Sequence, residues 1–337
     1  MKKLSIFIVL LSILSTSLFS QKNTFYSLSD AIAHPADVII LDLEDENLSA
    51  FPDAILEFKN LKTLNLKNNN ITTIPGNINK LQNLEVLLLD YNQISALPES
   101  IGELPKLQAL TLSNNKIKTI PASISKLTNL IYLSLANNQI TTFPEHICTL
   151  TKLEQLDLSY NNISTLPTEC TNIPTLSSFY LSNNKFTTFP TVLTQITSLN
   201  FLILDDNEIQ NIPPEITKMK SLRNFHIANN KLTYLPVEIG QMENLEYLYL
   251  NYNKIAKIPT EIGSLNKLKF IDLSNNLIVN IPASLALLAE CEEINLCSNK
   301  IYELPKEFAN SPKLRKIGIT NNTMVQIPSS LSKYIIY

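Results

Sequence analysis

The chain has 337 residues, of which 45% are hydrophobic and 17% are charged, and its formal net charge is −3. The apolar fraction is large enough for a continuous core. The charge balance is slightly acidic and contains no basic run, which excludes the electrostatic footprint of a nucleic-acid-binding protein.

Residues 1–20 differ in composition from the rest of the chain. Two lysines precede the uncharged segment LSIFIVLLSILSTSLF, and Ser20 follows it. A positive start, a short apolar stretch and a small residue are typical of a signal peptide. A membrane span needs about 20 apolar residues, so none is predicted in the mature chain. We expect cleavage after Ser20, with cleavage after Ser17 or an uncleaved N-terminal anchor as alternatives. The protein is therefore predicted to be secreted or held in the cell envelope, in the periplasm or at the surface.

Residues 21–37, QKNTFYSLSDAIAHPAD, are expected to form an N-terminal cap. Ser27 and Asp30 have the spacing of a capping box, which predicts one short helix. Ala31 and Ile32 would form its apolar side. A stack of repeated coils needs such a cap, because its first coil otherwise exposes core residues to water.

Residues 38–336 repeat one 23-residue pattern thirteen times without insertion, L-x-x-L-x-L-x-x-N-x-I-x-x-I-P-x-x-I-x-x-L-x-x. A fixed period of this length indicates a solenoid of stacked coils. The predicted fold is an α/β solenoid, a horseshoe with a parallel sheet on its concave face. Short 3-10, helical or extended segments are expected on the convex face, and the last coil is expected to act as the C-terminal cap.

Each position of the repeat has a predicted role. Positions 1, 4 and 6 alternate as the inward side of a short strand, so positions 3 and 5 point outward. Position 9 is Asn in twelve of the thirteen repeats. Its amide can satisfy buried backbone groups of the loop from one coil to the next. Position 15 is Pro in all thirteen repeats, and Pro starts the return segment because it fixes φ.

This pattern resembles that of leucine-rich repeat proteins with 23-residue units that contain proline. These include the Ras-binding scaffold type of animals and many long secreted arrays of bacteria. The lead-in FYSLSDAIAHPADVIILDL is similar to the N-terminal cap of bacterial members. The resemblance implies a binding scaffold with ligands on the concave face, and it implies no particular ligand.

No enzymatic activity, metal site or cofactor is predicted. His34, His146 and His226 fall in different parts of the pattern, and no Cys, His or carboxylate cluster has the spacing of metal ligands. No nucleophile can be assigned a base partner, and no glycine-rich phosphate loop is present.

The four cysteines are expected to be free thiols that replace small or apolar residues. Cys291 and Cys297 are six residues apart on one strand, so about 20 Å separates them, which excludes a disulfide. Cys148 and Cys170 lie in neighbouring coils and could approach each other. A disulfide there is not favoured, because Cys148 falls one place past a core position and should face outward, whereas Cys170 falls on a core position and should face inward.

The outward positions 3 and 5 carry the candidate site. Neighbouring strands lie about 4.8 Å apart, so these positions form rows on one surface, with an aromatic patch about 20 Å across. Such a cluster, taken to face solvent, is typical of a binding hot spot. Ordinary sheet chemistry is the alternative, because aromatic residues favour strands and pair across them. The predicted ligand-binding residues are Tyr132, Tyr180, Phe201, Ile203, His226, Tyr247, Tyr249 and Phe270.

The sequence therefore predicts a monomeric, non-catalytic scaffold that binds a protein or peptide ligand on its concave face. The alternative is a surface adhesin or structural envelope component that binds glycan or matrix through the same face.

Overall fold

A computed structural model describes residues 23–323, 327 and 329–336 of the chain. The predicted signal peptide, residues 1–20, and the thirteenth repeat proline, Pro328, lie outside the described residues. The described part divides into two compact units. The N-terminal unit contains the residues up to Asn162 together with Asn172–Leu176, and the C-terminal unit contains Ile163–Thr171 and the residues from Ser177 onward.

The N-terminal unit contains a parallel sheet of short strands at 23-residue intervals. Equivalent repeat positions lie side by side, so that Thr63 is opposite Val86 and Val86 is opposite Ala109. This register keeps all inward side chains on one face. The strands are β1 (Thr24–Phe25), β2 (Ile40–Asp42), β3 (Thr63–Asn65), β4 (Val86–Leu88), β5 (Ala109–Thr111), β6 (Tyr132–Ser134) and β7 (Gln155–Asp157).

The C-terminal unit repeats this arrangement with the same register. Phe201 is opposite Asn224, and Asn224 is opposite Tyr247. The strands are β8 (Ser178–Tyr180), β9 (Phe201–Ile203), β10 (Asn224–His226), β11 (Tyr247–Tyr249), β12 (Phe270–Asp272), β13 (Glu293–Asn295), β14 (Lys316–Gly318) and β15 (Ile335–Ile336).

Short 3-10 helices follow the repeat prolines, as predicted. Pro98 has an extended conformation with a φ of −72°, and the Ile101 N–H donates to its carbonyl oxygen at 3.0 Å. The fixed φ of proline thus starts one tight turn before the next strand. The described 3-10 helices are Asp53–Glu57, Ile78–Lys80, Glu99–Glu103, Ala122–Lys126, Glu145–Thr149, Thr168–Asn172, Thr191–Gln195, Pro214–Lys218, Val237–Gln241, Thr260–Ser264, Ala283–Leu287, Lys306–Asn310 and Ser329–Tyr334.

The predicted N-terminal helix is present as α1 (Leu28–Ala33), but two of its details differ from expectation. The Ser27 side chain makes no capping bond and lies 2.7 Å from the Ser29 hydroxyl instead. Ala31 is buried, whereas Ile32 is 51% exposed, so the assignment of Ile32 to the apolar side is wrong. Consecutive helical residues point about 100° apart, and a helix this short buries only one of them.

The asparagine ladder is confirmed within each unit. In the N-terminal unit, the Asn92 Nδ2 donates to the Leu66 carbonyl of the preceding coil at 2.9 Å. The Asn92 Oδ1 accepts the Ile71 N–H at 3.0 Å. In the C-terminal unit, the Asn253 Nδ2 donates to the Ile227 carbonyl at 3.0 Å. Each amide therefore satisfies backbone groups that the stacking of coils removes from water.

All four cysteines are free thiols, and Cys148 corrects one prediction. It was expected to face outward, yet its exposed fraction is 1%. It occupies repeat position 19, the position of Gly102 two coils earlier. A Cβ added at Gly102 would lie only 2.0 Å from the Ser123 carbonyl oxygen of the following coil. Position 19 is thus a close contact between coils, which buries both Gly102 and Cys148.

No helix within the described ranges has both the length and the apolar character needed to cross a membrane.

Candidate ligand-binding face

Five ring side chains form a continuous row on the outward face of the C-terminal sheet. The ring centroids of successive members, one from each strand of β8–β12, lie 5.5, 5.4, 4.0 and 5.1 Å apart. These separations are typical of favourable ring contacts. We name this row the aromatic stripe, and its members in order are Tyr180, Phe201, His226, Tyr249 and Phe270.

The stripe exists because equivalent positions of neighbouring coils are aligned. The register places Phe201 at repeat position 3, whereas His226 and Tyr249 are at position 5. Both positions point away from the core, and strands about 4.8 Å apart bring their rings into contact. The rings of His226 and Tyr249 are nearly parallel, with an angle of 22° between their planes.

The exposure of the predicted residues divides them into two groups. Phe201, His226, Tyr247, Tyr249 and Phe270 are partly exposed. The expectation that all eight face solvent is wrong for the other three, which are buried against neighbours on the same sheet face. The exposed fractions are 3% for Tyr132, 3% for Tyr180 and 0% for Ile203.

Tyr132 lies in the N-terminal unit. It packs there in a buried cluster with Val86, Leu88 and Ala109 on the outward positions of β4, β5 and β6. Its ring therefore stabilises that sheet face.

Carboxylates surround the aromatic stripe. The His226 Nδ1 is 3.8 Å from the Asp205 Oδ2, and both side chains are more than four-fifths buried. Burial raises the pKa of the Tyr249 hydroxyl above its ordinary value, and the neighbouring Tyr247 and Asp272 raise it further. Tyr249 thus keeps its proton near neutral pH and can donate a hydrogen bond to a ligand.

A row of alternating charges runs beside the stripe at repeat position 2. Glu246 accepts from Arg223 and from Lys269, each at 2.6 Å. The hydrogen bond from Lys269 is the main cause of the lowered pKa of Glu246. Farther along the row, Arg315 lies 3.2 Å from Glu292. These pairs fix charged groups along one border of the ring surface.

This charged row was not among the features predicted from the sequence. The signal was present, because position 2 holds Arg223, Glu246, Lys269, Glu292 and Arg315 in five successive coils. Alternating signs at one repeat position predict ion pairs between neighbouring strands.

The arrangement is suited to binding by contact, with rings for apolar surface and flanking polar groups for orientation. Within residues 23–323, 327 and 329–336, no group of three or more His, Cys, Asp or Glu side chains is placed to hold a metal ion.

Comparison with known families matches most of the repeated region. Residues 122–232 match the family described as "Leucine-rich repeat region". Residues 38–94, 59–117, 82–140 and 220–278 match the family described as "Leucine rich repeat". Comparison with curated protein sequences gives no match.

Solved structures of repeat proteins are similar to this chain. A leucine-rich repeat protein of Leptospira interrogans is 28% identical, with a TM-score of 0.65, covering 93% of this chain and 99% of that one. An internalin of Listeria monocytogenes is 25% identical, with a TM-score of 0.76, covering 86% and 84%. The plant peptide hormone receptor RGFR1, solved in complex with RGF2, is 27% identical, with a TM-score of 0.61, covering 88% and 61%. These findings confirm the predicted solenoid fold.

Proposed function

The chain belongs to the leucine-rich repeat family, and we propose that it is a non-catalytic scaffold that binds a protein or peptide through the aromatic stripe. The observation that carries this proposal is the unbroken contact of five rings across β8–β12. Partly exposed aromatic residues in one cluster supply much of the binding energy at protein interfaces.

The dimensions of the stripe suit an extended peptide. Four strand spacings of about 4.8 Å give a row of about 19 Å. An extended chain rises about 3.3 Å per residue, so a segment of about six residues lies along the row. Its side chains would contact the exposed rings of Phe201, Tyr249 and Phe270.

The charged groups beside the rings would orient this ligand. Asp205 and Asp272 lie near the stripe, and Glu246 is held between two cations on its border. The carboxylates near the rings favour a segment that carries a Lys or Arg beside its apolar residues.

The solved relatives support a binding role. RGFR1 is described as a peptide hormone receptor in complex with RGF2. Our chain spans 61% of that receptor chain, so the similarity concerns its repeats. We extend the proposal to a monomer that acts outside the cell or in its envelope, with residues 1–20 as the export signal.

The test is selection of binding peptides from a random library on the purified protein, followed by calorimetric titration of the selected peptides. Phe201→Ala and Tyr249→Ala should each weaken binding at least about tenfold, because each removes an exposed ring of the hot spot. Both variants should remain folded, as judged by circular dichroism.

Tyr234→Ala is the matched control, because Tyr234 is 49% exposed and lies outside the sheet strands of the C-terminal unit. Its affinity for the selected peptides should match that of the unmodified protein. Unchanged affinity in both Phe201→Ala and Tyr249→Ala would contradict the proposal.

A further inference from the structure

A second candidate site lies in the N-terminal unit, where the strands β3–β7 run into the asparagine turns. A groove of about 550 Å³ follows this edge. Tyr91 and Tyr160 line it three coils apart, and Asn114 and Asn137 hold the same repeat position in the two coils between them. Its volume is within the usual range of about 300–1,000 Å³ for ligand pockets.

The two tyrosines have an unusual backbone conformation. Tyr91 has a φ of 57° and Tyr160 a φ of 58°, in the left-handed region. The other described repeats place mostly Asn or Asp at this position, as at Asn114 and Asn137, and these residues tolerate the conformation because they are short and polar. A bulky tyrosine there is strained, and such strain is concentrated at ligand sites.

Folding does not account for these tyrosines. The exposed fraction is 58% for Tyr91 and 51% for Tyr160, so neither ring contributes much to the core. Each residue thus introduces backbone strain while leaving most of its apolar surface in water. Both rings border the same groove, about 14 Å apart, since three strand spacings of about 4.8 Å separate them.

Two neutral amides, those of Asn114 and Asn137, lie in the groove between the two rings. The Asn137 Nδ2 donates to the Asn114 Oδ1, which fixes both amides. Among the described residues, the Asn114 Nδ2 and the Asn137 Oδ1 have no hydrogen-bond partner. One donor and one acceptor are therefore available side by side to a ligand.

The charges of the groove disfavour an anion. Its cation, Lys67, lies 3.4 Å from the Asp90 carboxylate. That carboxylate also accepts from the Thr111 hydroxyl at 2.6 Å and from the Ser113 N–H at 2.8 Å. Asp157 adds a second carboxylate to the lining. The groove therefore has no unpaired positive charge for a sulfate, phosphate or carboxylate group.

We propose that this groove binds a neutral oligosaccharide, with the Tyr91 and Tyr160 rings stacked on sugar rings and the Asn114 and Asn137 amides bonded to hydroxyl groups. A sugar ring has an apolar C–H face and a rim of hydroxyls. This combination matches exposed aromatic rings with a neutral donor and acceptor between them. The site is independent of the aromatic stripe.

A peptide fits the groove less well. Peptide recognition uses rows of backbone hydrogen bonds along a sheet edge or apolar pockets for side chains. Here the strand backbones of β3–β7 pair with each other, and the Asn114 and Asn137 amides lie between the two rings. Polar side-chain amides between two separated rings therefore favour the sugar.

The test is calorimetric titration of the full chain with cellotriose, chitotriose and mannotriose, with a sulfated trisaccharide as the anionic comparison. At least one neutral sugar should bind, and the sulfated sugar should not. Tyr91→Asn and Tyr160→Asn should each weaken binding about tenfold, the order of effect of one lost ring contact. The melting temperature should stay constant or rise, because Asn suits the left-handed backbone.

Tyr252→Asn is the matched control, because Tyr252 has a φ of 56° and an exposed fraction of 57% but lies in the C-terminal unit. This variant should bind the sugar as the unmodified protein does. An equal loss in Tyr252→Asn would overturn the assignment. So would the failure of all three neutral sugars to bind at about 10 mM, a concentration that detects even millimolar affinity. Binding of a peptide, lost in Tyr91→Asn, with no sugar bound would also overturn it.

Discussion

The outward sheet faces of the two units differ although their backbones follow the same 23-residue frame. In the N-terminal unit, Thr111 and Ser134 are each 3% exposed and fit between neighbouring strands. In the C-terminal unit, Phe201, Tyr249 and Phe270 are partly exposed. The residues between the fixed repeat positions therefore decide whether a sheet face is closed or offers surface to a ligand.

Side-chain size explains this contrast. Strands about 4.8 Å apart leave narrow channels between their outward side chains, and a short side chain sits inside such a channel. The rings of Phe201, Tyr249 and Phe270 extend above it and keep part of their surface in water, whereas Tyr132 and Tyr180 pack against their neighbours and are each 3% exposed. Ile203 follows the same rule, because it is fully buried two residues after the partly exposed Phe201. Exposure is thus set by how far a side chain reaches beyond its neighbours.

The largest expected loss of stability comes from removing an amide of the asparagine ladder, which both units contain. Asn115→Ala in the N-terminal unit removes a side chain that donates to the Leu89 and Leu112 carbonyls and accepts the Ile94 N–H. Because each buried group left unpaired costs about 1–3 kcal/mol, we expect the free energy of unfolding to fall by about 4 kcal/mol. Urea denaturation followed by circular dichroism measures this change.

Asn253→Ala in the C-terminal unit should give a similar loss, since its amide has equivalent partners. Asn70→Ala is the control, because Asn70 is exposed, and it should change stability by less than about 0.5 kcal/mol. A loss in only one of the two ladder variants would show that the units do not share this source of stability.

The parts of the fold that could be predicted are those set by repeat spacing. Leu84, Leu87 and Leu89 recur at positions 1, 4 and 6 and are fully buried. Asn92 and Pro98 have the roles that amide chemistry and a fixed φ require. The burial of Cys148 could not be predicted, because spacing within one coil does not show how closely the next coil approaches.

The candidate site was predicted less completely. Repeat spacing correctly placed Phe201, His226 and Tyr249 on one surface, since parallel register follows from the constant period. It could not give the burial of Tyr180 and Ile203, which depends on the heights of neighbouring side chains. The roles in ligand binding proposed for all eight residues stay predictions.

The next largest loss of stability should distinguish variants at two outward residues of the same strand, β9. Ile203→Ala should lower the free energy of unfolding by about 3 kcal/mol, because Ile203 is fully buried and its loss leaves a cavity. Phe201→Ala should lower stability less, because part of its ring is already in water. Urea denaturation of the two variants gives the comparison. An equal loss in both would mean that exposure does not distinguish packing residues from surface residues on this face.

The smallest effect concerns the charges at repeat position 2. In the C-terminal unit, Glu246 is paired with two cations, and these pairs lower its pKa from the ordinary value of 4.5. A lowered folded-state pKa gives stability that is present above about pH 4.5 and is lost as the pH falls through the folded-state value. Glu246→Gln should therefore reduce stability at pH 7 by about 0.5–1 kcal/mol, and this effect should shrink as the pH falls through the folded-state pKa.

Glu85→Gln is the N-terminal counterpart, because Glu85 occupies the same repeat position and pairs with Lys62 at 3.0 Å. The Glu85 side chain is 25% exposed and the Glu246 side chain 15%, and one pair stabilises less than two, so the effect of Glu85→Gln at pH 7 should be smaller. Thermal unfolding at several pH values and at two salt concentrations measures both variants, and salt should reduce both effects. An equal fall in melting temperature for Glu85→Gln and Glu246→Gln would contradict this prediction. It would mean that the two pairs of Glu246 stabilise the protein no more than the one pair of Glu85.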